Sequence, residues 1–115
     1  ICMTIKVSLD VHASPPVTVN PDKEHVNSGN QTITWVPAAN QPAFTFTGVT
    51  FSTTPTPFSA PTITTDPAKM TVTEDNSTPG VDYPYTITVS LNGISYSSAS
   101  SGIGGKAGDP VIHNN

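Results

Sequence analysis

"MTIKVSLDVHA", residues 3–13, alternates without a break: Met3, Ile5, Val7, Leu9, Val11 and Ala13 fall on one side, and Thr4, Lys6, Ser8, Asp10 and His12 on the other. A period of two over such a length predicts a strand with one dry and one wet face, His12 on the wet one. The pattern returns in "YPYTITVSL", residues 83–91, where Tyr83, Tyr85, Ile87, Val89 and Leu91 alternate with Pro84, Thr86, Thr88 and Ser90. Pro84 has no amide to give to a ladder, so it belongs at an edge or where the strand begins. Apolar residues recur at helical spacing in no sustained stretch, and no substantial helix is expected.

Shorter runs lie between these two. "VTVN" is closed by Asn20-Pro21-Asp22, a strand centres on Val26, and Ser28-Gly29-Asn30 turns the chain. "TITWVP" puts Ile33 and Trp35 on one face. In "AFTFTGVTF" the apolar parity changes across Gly48, from Phe44 and Phe46 to Val49 and Phe51. A glycine at a parity change predicts a β-bulge that keeps both halves facing the core. "TTPTPFSAP", residues 53–61, is a Pro-rich loop that Phe58 pins to the core; "TITTDP" and "KMTVTE" are strands, the second with Met70 and Val72 inward. Asn92-Gly93 is a turn, a short strand forms around Tyr96, a Ser/Gly loop covers 97–108 and a closing strand covers 110–114, with His113 on its polar face. The expectation is a single all-β domain over 1–115, an antiparallel Greek-key β-sandwich of seven to nine strands.

Four lysines and no arginine stand against eight carboxylates, for a formal net charge of -4. Such a chain offers no basic face to phosphates or anionic headgroups, so neither nucleic acid nor a membrane surface is an expected partner. No apolar run approaches the length of a bilayer span, and no signal-like segment opens the sequence. The expected compartment is cytoplasmic if Met3 is the initiator and Ile1-Cys2 an addition, and secreted or periplasmic if the chain is a processed product. The single cysteine, Cys2, excludes an internal disulfide framework and a thiolate-rich metal site.

Residues 21–36, "PDKEHVNSGNQTITWV", and residues 79–87, "PGVDYPYTI", resemble two stretches of the cupredoxins, the Greek-key sandwiches of blue-copper proteins. That resemblance implies a cupredoxin-like or immunoglobulin-like fold. It does not carry the copper site, which needs two imidazoles and a thiolate. Ala43, Phe44 or Phe46 stands near the first histidine position and Ile87 at the cysteine position, and residues 92–108 hold neither His nor Met. The ending Asp109-Pro110-Val111-Ile112-His113-Asn114 is similar to that of small uncharacterised bacterial proteins grouped as the DP-EP family. Membership would imply a domain of unknown function and transfers no catalytic residue.

Several constellations are candidates for a site. His12, His25 and His113 are nitrogen donors for zinc or copper, although no H-x-H or H-x3-H pair supports them. Glu74, Asp75, Asn76, Ser77 and Asp82 gather the oxygen donors that calcium prefers, without EF-hand spacing. "GIGGKA", residues 102–107, matches a dinucleotide fingerprint in letters only, because Asp109-Pro110 follows where a helix is required. Trp35, Phe44, Phe46, Tyr83 and Tyr85 share the parity of aliphatic neighbours and are expected in the core rather than on a sugar-stacking platform; Phe58 and Tyr96 are the exceptions to check. No G-x-S-x-G elbow occurs. The leading expectation is a non-enzymatic binding or assembly module that uses no cofactor and joins a protein partner or itself through edge strands. The alternatives are a metal-binding protein (zinc or copper through histidine, or calcium through the acidic loop) and a carbohydrate- or peptide-binding module.

Overall fold

The computed structural model describes residues 2–13, 15–26, 30–52, 58–65, 67–75, 80–98 and 110–114. Among them are ten strands and no helix: β1 (Cys2–Leu9), β2 (Val17–Asn20), β3 (Lys23–Val26), β4 (Gln31–Pro37), β5 (Thr45–Phe51), β6 (Thr62–Thr65), β7 (Ala68–Glu74), β8 (Asp82–Leu91), β9 (Ile94–Ser97) and β10 (Val111–Asn114). One sheet has the order β2-β1-β4-β7-β6; the other runs β3-β10-β8-β5, with β9 also on β8. Their inner faces share one core, to which the first sheet gives Ile5, Val7, Ile33, Trp35, Met70 and Val72. The second sheet gives Val26, Phe46, Tyr85, Ile87, Val89 and Ile112. Of the glycine and serine loop expected over 97–108, residues 99–108 lie outside the described residues, as does the Ser28-Gly29 turn.

The sheets are mixed, which corrects the antiparallel expectation, and the strands number ten rather than seven to nine. β1 runs parallel to β4, and β3 parallel to β10. The reason lies between Asn20 and Lys23, where the chain leaves the first sheet and enters the second. β2 and β3 thus act as one long strand that switches sheets. Since β2 is antiparallel to β1, the next reversal brings β4 back parallel to β1. Alternating side chains record which face a residue occupies and carry no information on strand direction.

The first strand is also shorter than its alternation implies, ending at Leu9 rather than at Ala13. The Asp10 carboxylate accepts the His12 amide at 3.0 Å, the Asp10 carbonyl accepts the Ala13 amide at 3.0 Å, and the Asp10 amide donates to the Pro16 carbonyl at 2.8 Å. This Asx-type turn takes the backbone out of the sheet and leaves Val11 42% exposed. In the closing strand Ile112 is buried, whereas Val111 is half-buried on the outer face.

The expected bulge and the Phe58 contact both match. The β5–β8 register slips between Phe46 and Gly48, so Thr47 is the extra residue of a bulge, and Val49 and Phe51 return to the core side. Phe58 bridges to Glu74, stacks on Phe51 at 4.1 Å and meets Tyr83 edge-on at 5.3 Å. Pro84 departs from its expected place, being the third residue of the interior strand β8 rather than at an edge or the strand's start; its carbonyl accepts the Ser52 amide at 3.1 Å, just past the end of β5. An amide on Pro84 would face that same edge beyond the last β5 residue, so its absence breaks no ladder bond.

Leu91 pairs with Ile94 across a two-residue turn in which Asn92 and Gly93 have φ of 54° and 79°. Both angles are those of a type I′ hairpin. Gly93→Ala is therefore expected to cost about 1–2 kcal/mol, whereas Gly48→Ala, at a position with no positive φ and open space around the added carbon, is expected to be near neutral. Denaturant midpoints of the two variants check this. Equal costs would contradict the backbone argument.

Candidate functional site

β8 carries strands on both edges: β5 along residues 85–90 on one, β10 at 82–84 and β9 at 88–91 on the other. β3 then lies on the far side of β10, with His113 opposite His25 and His113 also opposite Asp82. One cross-strand row on the outer face of the second sheet therefore reads His25, His113, Asp82. Parity explains their orientation: Val26, Ile112 and Tyr83 point into the core, so their sequence neighbours point out.

The two imidazoles meet edge to face, with ring centroids 5.3 Å apart and planes at 70°. His113 Nδ1 is hydrogen-bonded to Asp82 Oδ1. The other oxygen of that carboxylate is 3.9 Å from Lys23 Nζ. Asp82 is held below the ordinary carboxylate range, chiefly by the hydrogen bond from His113, with Lys23 adding to it and slight burial opposing it. Glu24, half-buried behind this row, is shifted up by burial, partly offset by the backbone and charge of His25.

The remaining candidates are elsewhere. His12 sits in the exposed turn after β1 and takes no part in the row. Among the described residues, no group of three or more His, Cys, Asp and Glu side chains is arranged to hold a metal ion. Of the oxygen-donor set, Asn76 and Ser77 lie outside the described residues, Asp75 is exposed at the end of β7, and Glu74 turns inward. "GIGGKA" and Asp109 also lie outside them. Trp35, Phe44, Phe46, Tyr83 and Tyr85 are all buried and form no outward platform; Tyr96 is half-buried. At the positions where a cupredoxin-like reading would seek copper ligands, Phe44, Phe46 and Ile87 are core residues.

Glu74 is a buried group that its charge conceals in the sequence, although it shares the parity of Met70 and Val72 and is 1% exposed. Burial first, and the neighbouring Asp75 second, push its carboxyl up to about 7, while the Asn114 side chain offsets part of the shift. It is a carboxyl on the core side of β7.

Two further surface features are formed by described residues. An open recess of about 240 Å³ is lined by Val17, Val19, Asp22, Ser98 and Pro110 among others. That is below the range of roughly 300–1,000 Å³ usual for small-molecule sites. The other feature is β6. Among the described residues it pairs only with β7, and all four of its residues, Thr62, Ile63, Thr64 and Thr65, are exposed.

No protein-family model matches the chain, and no curated protein matches it significantly. Among the described residues no helix is long and apolar enough to cross a membrane.

Proposed function

We propose that this chain is an assembly module that joins a second copy of itself through β6, without a cofactor and without a catalytic step. The observation that carries the reading is an uncharged four-residue edge strand, exposed on both faces and, among the described residues, hydrogen-bonded to the sheet on one side only. A strand edge presents a row of backbone donors and acceptors, and natural sheets shield such edges with lysine, proline or bulges. Prolines flank β6 at positions 61 and 67, but the strand itself contains none, nor any charge.

Its sequence suits self-pairing. Two copies of "TITT" in antiparallel register place Thr and Ile against one another with no like-charge contact, and a two-fold axis makes the interface self-complementary. The β2-β1-β4-β7-β6 sheets of the two copies would then become one continuous sheet across the axis. The cupredoxin-like and DP-EP resemblances are compatible with such a role, since neither supplies catalytic residues here.

A charged edge tests the reading. The double variant Ile63→Lys/Thr64→Lys sets lysines against lysines across the axis, while both positions are exposed in the single chain. The variant is expected to stay folded by circular dichroism and to lose self-association in size-exclusion chromatography with light scattering. Unchanged association in the folded variant would rule out the β6 edge as the interface.

A further inference from the structure

We propose that His25 and His113 form a two-histidine site for a late first-row divalent cation, zinc, nickel or copper, with Asp82 as the group that orients His113. The parallel β3–β10 pairing sets the two residues directly opposite each other on an outward face. Their rings already lie within 5.3 Å, centroid to centroid. Imidazole nitrogen suits zinc, nickel and copper, whereas calcium and magnesium take oxygen donors.

The carboxylate adds the second half of the argument. With Asp82 accepting a hydrogen bond from Nδ1, the neutral His113 ring carries its proton there, and Nε2 holds the lone pair that a cation needs. Histidines that bind metals commonly donate their other ring N–H to a carboxylate, because that bond fixes the tautomer and the ring. The outward neighbours in the next cross-strand row, Val111 and Pro84, bring no competing charge. Lys23 does bring one: its ammonium shares Asp82 and opposes a bound cation. Water completes the coordination on this open face, so the site takes a cation in exchange rather than locking it in as a closed four-ligand centre does.

The site lies on the second sheet and is independent of β6 pairing. The test is calorimetric titration of the untagged full chain with zinc chloride and with nickel chloride, alongside NMR of the histidine ring nitrogens. One equivalent should bind, moving the Nε2 signals of His25 and His113 and leaving those of His12 in place. His25→Ala and His113→Ala should each weaken binding by about tenfold or more, Asp82→Asn by a similar factor, and Lys23→Gln should tighten it. All four positions are on the outer face, and circular dichroism of each variant checks the fold. Binding that survives His25→Ala, or zinc that leaves both ring signals unmoved, overturns the site. Binding that is lost with either histidine but indifferent to Asp82→Asn overturns the orienting role.

Discussion

Trp35→Ala should destabilise the domain by about 3–5 kcal/mol, the cost of deleting a large buried aromatic side chain. Trp35 is fully buried on the first sheet, and its Nε1 donates to Tyr85 Oη on the second at 3.1 Å. The rings also meet edge to face at 5.4 Å, so the pair ties the two sheets together by shape as well as by a hydrogen bond. Burial holds the Tyr85 phenol well above its usual range, and its hydroxyl stays protonated in the interior. Against a total stability of roughly 5–15 kcal/mol for a domain, the alanine variant is expected near the limit of folding. The conservative cycle is more informative. Trp35→Phe strands the Tyr85 hydroxyl and should cost about 1–3 kcal/mol, while adding Tyr85→Phe should recover part of that loss, since no polar group is then left unpaired. Urea unfolding of the four proteins checks this. Strictly additive losses would show that the two groups do not interact.

Glu74 has the second large effect, and it appears as a pH dependence. Its carboxyl is raised from an ordinary value of 4.5 to about 7, so the folded chain holds this proton where the unfolded chain has released it. The stability tied to that proton is complete below the unfolded value, falls as pH rises through the interval, and is gone above the folded value. By linkage the loss amounts to about 3 kcal/mol. Glu74→Gln keeps the shape without the charge. The variant should match the wild type at pH 4, exceed it by up to about 3 kcal/mol at pH 8, and show a flatter profile between them. The Asp82 shift has the opposite sign, and its contribution is lost only as pH falls below the ordinary carboxylate range, outside this window. Unfolding midpoints of the two proteins at pH 4, 6 and 8 decide the matter; parallel curves would mean that Glu74 ionises freely in the folded state.

The elements most legible from sequence are those whose two faces differ most. In β4, β7 and β8 apolar residues recur at every second position, and Ile33, Trp35, Met70, Val72, Tyr85 and Ile87 are indeed in the core. The bulge before Gly48 was legible because an inserted residue is the simplest way for a strand to change parity and keep one face dry. Strand direction was not, since β1 beside β4 and β3 beside β10 arise from a chain that changes sheets after Asn20. Val11 misleads because the aspartate beside it offers its own side chain to the backbone, and that local bond outweighs one more apolar alternation. Glu74 misleads in the opposite sense: its charge reads as loop, while its parity puts it inside.

The candidate site was legible only as separate residues. Parity shows His113 on an outer face, but nothing in the spacing of His25, Asp82 and His113 shows them in one row. That row is made by β10 pairing with β3 on one side and β8 on the other. His12, alike in type, falls in a turn and stays apart.

Assembly through the open edge of β6 is tested most directly by sedimentation equilibrium of the wild-type chain from the micromolar to the millimolar range. A reversible two-fold increase in mass with concentration, absent from the Ile63→Lys/Thr64→Lys protein, is the predicted result. A strict monomer at the highest concentration would contradict it.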